Sequence, residues 1–87
     1  MKVEHKRLLQ HMLGADSRYR KNQWGYRNHF YAGEGHTDLP ELLDMEKLGL
    51  VKRGQKFDDM VFWATKKGAV SIGFKPYQLR KTDFPKV

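Results

Sequence analysis

The sequence predicts an α+β fold: one small domain in which about three helices enclose a two- or three-stranded antiparallel hairpin. Apolar residues recur at helical spacing around 3–13 and again around 39–48. Two short segments within 50–64 have the alternation and composition of strands. Because 87 residues suffice for only one domain, we assign 1–74 to it and 75–87 to a basic C-terminal tail.

The first helix is predicted over 3–13, where apolar and polar side chains separate onto two sides. The apolar stripe consists of Leu8, Leu9, Met12 and Leu13. Gly14 then supplies a C-terminal stop, because glycine readily adopts the left-handed conformation that ends a helix.

The segment 15–32 is ambiguous. Asp16 or Ser17 could cap a helix, yet Gly25 interrupts the pattern, and 26–31 could equally be a short extended segment. We favour a short helix or irregular turn, followed by a loop through 33–35.

A second regular helix is predicted over 39–48. Asp38 and Glu41 have the spacing of a capping box. In this motif each of the two side chains accepts a hydrogen bond from the backbone N–H of the other residue. Pro40 falls in the first turn, where its missing N–H costs nothing. Gly49 follows as the stop.

The hairpin is predicted from Leu50–Arg53 and 57–64, joined by a turn at Gly54-Gln55. Alternation places Phe62 on one face of the second strand and Trp63 on the other. Thr65 should cap a last helix over 66–72, with its Ala69, Val70 and Ile72 turned inward, and the proline-containing tail should lie extended over the body. The residues expected in the core include Leu9, Leu13, Leu42, Leu43, Phe62 and Ile72.

Charge and composition limit the possible functions. The net charge is +7, which favours polyanionic partners, and no cysteine is present for a disulfide or a cysteine-ligated zinc site. The charge is uneven: 38–51 holds one lysine against four acids, between two strongly basic flanks. No apolar run is long enough for a membrane span or a signal peptide, so we expect a cytoplasmic protein.

We predict no catalytic site, cofactor or metal. There is no thiol, no serine in a nucleophile elbow, and no P-loop lysine beside the glycines at 33–35. Nitrogen and oxygen ligands do occur at His29, Glu34, His36 and Asp38, but their spacing matches no zinc motif and Asp38 is assigned to the helix cap.

An aromatic and basic stretch, YRKNQWGYRNHFYAGEGHTD at 19–38, carries the functional prediction. Its rings alternate with cations, as in proteins that bind single strands by stacking and phosphate contact. The alternative is that its large rings fill the core while the cations remain solvated. With the basic hairpin added, the candidate nucleic-acid contacts are Arg18, Arg20, Lys21, Trp24, Tyr26, Arg27, Lys52, Arg53 and Lys56.

Two resemblances extend this interpretation. The run LPELLDMEKLGLVKRGQKFDDMVFWATKKG resembles the recognition helix and wing of small winged-helix transcription regulators, which implies a winged-helix-like domain that binds nucleic acid. The pattern YRNHFYAGEGHTD, followed by a leucine-rich helix and GLV, is similar to a group of small phage and prophage proteins, which brings no established activity.

The helix before the wing departs from the winged-helix pattern. In that family it enters the major groove, but here it carries Glu41, Asp44 and Glu46, which the negative groove repels. We therefore expect nucleic acid to bind outside this helix. Alternatively, the three acids dock on a host or phage protein complex, and the protein binds no nucleic acid.

Overall fold

The computed structural model describes residues 2–15, 24–25, 27–33, 35–56, 59–80 and 84. Within them, four helices and one three-stranded antiparallel sheet form an α+β fold, which confirms the predicted class. The elements are α1 (Val3–Leu13), β1 (Phe30–Tyr31), α2 (Leu39–Lys47), β2 (Val51–Lys56), β3 (Asp59–Ala64), α3 (Lys66–Ser71) and α4 (Pro76–Leu79). Among these helices, none has both the length and the apolar character needed to cross a membrane.

The sheet has the strand order β1-β3-β2, so the hairpin strand β3 lies in the centre. Val51 is opposite Ala64 and Lys52 is opposite Trp63, while Phe30 of β1 is opposite Phe62. Because side chains alternate along a strand, Val51, Phe62 and Ala64 share one face, and all three are buried. The predicted alternation of Phe62 and Trp63 is confirmed.

The core lies between that buried face and the helices. Its fully buried side chains are Leu8, Leu9, Met12, Leu13, Leu42, Met45 and Phe62. Most of the expected core is confirmed, although Leu43 is only partly buried against it.

Val70 is 55% exposed, so its predicted inward orientation is wrong. A Cβ on Gly68 would lie closer than 3.0 Å to the carbonyl oxygen of Leu50, which shows how tightly α3 approaches the start of the hairpin. With Gly68 and Ala69 turned towards the core, the helical rotation directs Val70 to solvent.

The segment after α1 is tied to the carbonyl end of that helix. The Arg27 guanidinium donates to the His11 carbonyl from Nε at 3.1 Å and also from Nη2. The backbone N–H groups of Gly25 and His29 donate to the carbonyls of Leu13 and Met12. These contacts satisfy carbonyls that have no partner within a helix.

The strand β1 shows that the extended alternative is correct for Phe30–Tyr31. Asn28, just before it, extends the pairing with β3 through its side chain: its Nδ2 donates to the Ala64 carbonyl at 3.0 Å, and its Oδ1 accepts from the Ala64 N–H at 2.8 Å. A side-chain amide therefore takes the place of one further residue of the ladder.

The capping box predicted for α2 does not form, because Asp38 makes no side-chain cap bond. Its Oδ1 accepts instead from Arg7 Nη2 at 3.1 Å, and its backbone N–H donates to His36 Nδ1 at 3.0 Å. Glu41 binds His5 of α1. Both carboxylates instead have side-chain partners on α1, Arg7 for Asp38 and His5 for Glu41.

Two further predictions are wrong. Gly54 and Gln55 do not form the hairpin turn, because β2 continues to Lys56, which is opposite Asp59. The tail is not extended throughout, since α4 forms at its start and its Gln78 is buried. The Gln78 Oε1 accepts from the Lys75 N–H at 2.7 Å and so caps this short helix. By contrast, the Thr65 cap of α3 is confirmed.

Candidate nucleic-acid interface

The sheet face opposite the core carries both aromatic and basic side chains. We call it the outer face and define it by Tyr31, Lys52, Gly54, Val61 and Trp63, which the strand register places on one side. Tyr31 is 48% exposed, Trp63 is partly exposed and Lys52 is exposed. The helices α1, α2 and α3 pack on the other side, so the outer face is backed by the core.

Trp63 lies across the sheet above Gly54. A Cβ on Gly54 would be closer than 3.0 Å to two atoms of the Trp63 six-membered ring, Cζ3 and Cη2. The ring therefore occupies the space that a side chain at position 54 would need. Val61, directly opposite Gly54, also borders this space and is buried, although it faces away from the core. Glycine is required here for the close approach of a ring, which explains why it lies within a strand.

Tyr31 supplies a second ring on the same face. It is opposite Val61, so it lies diagonally across from Trp63 on the neighbouring strand. The His29 and Tyr31 rings meet edge to face, with centroids 5.5 Å apart and planes at 62°. His29 is exposed as well, so this end of the face presents two adjacent rings to solvent.

Lys52 places a cation beside the tryptophan, because it is directly opposite Trp63. Lys56 occupies the same alternation of β2 and is opposite Asp59, although its side chain lies outside what the structure describes. A lysine ammonium next to a partly exposed indole ring is the combination that contacts a phosphate and a base together.

Several residues predicted as nucleic-acid contacts have partners within the protein. Trp24 stacks on Phe74, with centroids 5.9 Å apart and planes at 30°, and packs against the core. Arg27 binds the carbonyl end of α1, and Arg53 Nε lies 3.3 Å from Glu46 Oε2. Four other candidates fall outside the described residues: Arg18, Arg20, Lys21 and Tyr26.

The acidic residues of α2 are paired within the molecule. His5 is 2% exposed, and its Nε2 lies 2.8 Å from Glu41 Oε2 and 3.2 Å from Asp44 Oδ2. Lys2 Nζ lies 3.8 Å from the same two oxygens, and Glu46 pairs with Arg53. The acids that sequence reasoning assigned to a protein partner therefore already face basic side chains of α1 and β2.

His5, Glu41 and Asp44 are also the group of potential metal ligands that the described residues bring together, with donor atoms within 4.8 Å of one another. Zinc accepts such nitrogen and oxygen donors. Here His5 Nε2 lies close to both carboxylates and Lys2 Nζ lies 3.8 Å from the same oxygens, so the acidic groups already have partners within the protein. Of the ligands considered from sequence, Asp38 binds Arg7 and His36 accepts from the Asp38 backbone N–H, while Glu34 lies outside the described residues.

No family model, curated protein or solved structure matches the chain in comparisons with known proteins. The interpretation of the site therefore depends on its own geometry.

Trp63 and Tyr31 were not among the candidate contacts chosen from sequence. A signal for Trp63 was present, because the alternation in MVFWAT already separated it from Phe62. Tyr31 lies within the aromatic and basic stretch at 19–38, but two residues of strand are too few for a recognisable period that would assign it to a face.

Proposed function

We propose that this protein binds nucleic acid and that the outer face is the contact surface. The observation that supports this most directly is the presence of Tyr31, Trp63 and Lys52 together, all at least partly exposed, on a sheet face that does not serve the core. Large rings are expensive to leave in water, and their clustering beside a cation favours a ligand with both flat apolar groups and negative charge. Nucleic acid has both.

The charge distribution supports the same proposal. The chain carries +7 overall, and the acidic residues of α2 are offset by neighbouring basic groups. A polyanion approaching the protein therefore meets little uncompensated negative charge from this helix. Long-range attraction from the remaining cations would increase the association rate.

We further propose that the domain is winged-helix-like, as the sequence resemblance implies, with β2 and β3 as the wing. The direct succession of α2, the β2–β3 hairpin and α3 supports this arrangement. In this proposal α2 does not enter a groove, since it packs on the core through Leu42 and Met45 and pairs its acids with α1. The wing, with Lys52 and Lys56, would contact the ligand, as would Arg18, Arg20, Lys21 and Tyr26.

The alternative is a protein partner captured by Glu41, Asp44 and Glu46. These side chains would first have to leave Lys2, His5 and Arg53, and replacing an existing ion pair gives little net free energy. The internal pairing therefore favours nucleic acid over this alternative.

A salt titration of binding tests the proposal. Duplex DNA, single-stranded DNA and RNA are each titrated with the full chain between 50 and 200 mM salt. Over this range, four to six phosphate contacts should lower affinity by about 150- to 1800-fold for the duplex and by about 50- to 350-fold for the single strands. Lys52→Gln should reduce the slope of log affinity against log salt by about one contact. Lys6→Gln is the matched control, because it removes the same charge from the exposed side of α1, away from the outer face. If no nucleic acid binds at low salt, the proposal is wrong.

A further inference from the structure

From the geometry of the outer face, we infer that its ligand is single-stranded nucleic acid, with two bases stacked on Trp63 and Tyr31. This inference rests on the proposed function, because it assigns the class of nucleic acid to the same surface. The proposed ligand is a strand whose bases are unpaired and splayed apart. Such DNA and RNA share the same chemistry, a flat base joined to a phosphate.

The orientation of Trp63 favours stacking. Because its ring fills the space above Gly54, it lies along the sheet surface and does not stand out from it. The Cζ3–Cη2 edge of the indole then lies over Gly54, and Trp63 remains partly exposed to solvent. A ring held in this way loses little conformational freedom when a base stacks on it, so the surface is pre-organised.

The spacing of Tyr31 and Trp63 favours unpaired bases. Tyr31 is opposite Val61, and Trp63 is two residues further along β3, so their backbone positions are diagonal neighbours about 7–8 Å apart. The Trp63 ring leans over Gly54 of β2, on the side away from β1. Stacked bases along one strand of a duplex are separated by only about 3.4 Å, and both of their faces are covered by neighbours. Two bases that each stack on a separate ring must therefore be unstacked from each other, which excludes a duplex.

The position of Lys52 favours contact with a phosphate. Lys52 is directly opposite Trp63, so a base on the indole brings its own phosphate within reach of the ammonium. Stacking uses the face of a base, which all four bases possess. The site should therefore tolerate any sequence, with preferences that follow stacking strength.

The test separates base stacking from phosphate attraction. Full-length protein is titrated with an oligothymidylate of about 15 nucleotides, the matching oligouridylate, the corresponding DNA duplex, and an oligonucleotide of equal length that keeps its phosphates but lacks its bases. Wild type should bind both single strands more tightly than the duplex. Loss of the bases should weaken binding by about 5- to 150-fold for each stacked base, which corresponds to about 1–3 kcal/mol.

Variants then identify the ring. Trp63→Ala should weaken binding of the normal single strand by about 5- to 150-fold and leave affinity for the base-free strand unchanged, because that strand has nothing to stack. Trp63→Phe keeps an aromatic ring and should retain most of the affinity. It is the variant to measure if Trp63→Ala does not fold. Trp24→Phe is the matched control: it alters a tryptophan that stacks on Phe74 in the core, and binding should not change.

Each outcome has a distinct meaning. Single-strand preference that is lost with Trp63→Ala supports the inference, and the ratio of DNA to RNA affinity identifies the preferred sugar. Equal binding of the duplex, the normal strand and the base-free strand would overturn the inference while leaving the proposed function intact. Absence of binding to every probe would overturn both.

Discussion

The clearest consequence of the sheet geometry concerns the substitution Gly54→Ala. Glycine within a strand is normally less favourable than alanine, so this change alone should stabilise the hairpin by about 0.5–1 kcal/mol. Here the added Cβ would meet two atoms of the Trp63 ring at less than 3.0 Å, and the rigid indole must rotate as a unit to avoid it. Overpacking of this kind costs about 1–3 kcal/mol, so the net destabilisation should be about 0.5–2 kcal/mol.

A double-mutant cycle isolates the contribution of the ring. In a Trp63→Thr background the obstacle is absent and threonine suits a strand, so Gly54→Ala should become neutral or stabilising. The coupling free energy between the two substitutions should then be about 1–3 kcal/mol.

Urea unfolding of the four proteins, followed by far-UV circular dichroism, measures each free energy without depending on tryptophan emission. Additivity within about 0.5 kcal/mol would refute the reasoning, because it would mean that the ring and the glycine do not compete for space. Gly54→Ala should also weaken binding to single strands, since it displaces the Trp63 ring from the sheet surface.

The remaining predictions concern the core, the helix end and the polar cluster. Leu42→Ala should lower the free energy of unfolding by about 2–5 kcal/mol, and Leu43→Ala by less because Leu43 is only partly buried; equal losses in urea unfolding would contradict the assigned core face. Arg27→Met should cost about 0.5–1.5 kcal/mol by removing donors to the His11 carbonyl, and an unchanged urea midpoint would show that this contact is not stabilising. Elemental analysis should find no stoichiometric zinc, and His5→Ala should lower the melting temperature by removing the partner of two carboxylates; a bound ion that disappears in this variant would show that the cluster is a metal site.

Local sequence patterns were sufficient to predict the structure wherever neighbouring residues in the chain determine it. The stripe of α1, its end at Gly14, the proline in the first turn of α2 and the Thr65 cap all depend on residues within one or two turns. The alternation of β3 is equally local, and it correctly separated Phe62 from Trp63.

Two of the errors occur where a distant residue competes for the same group or the same space. Asp38 and Glu41 have the spacing of a capping box, but Arg7 and His5 of α1 bind them instead. Gly54 resembles a turn residue, but it lies in a strand beneath Trp63. Such competition is invisible in a local pattern because the competing partner is brought near only by folding.

By itself, the sequence determined the class of fold, the main helices, the two faces of the hairpin and a basic protein without cysteine. Only the tertiary structure decided which aromatic and charged residues pack against the core or form polar contacts and which lie on the outer face. Trp24 and Phe30 pack against the core and Arg27 binds a helix end, whereas Tyr31 and Trp63 remain on the outer face. The physical reason is that propensity and period act over a few residues, whereas burial and ion pairing depend on contacts between residues far apart in the chain.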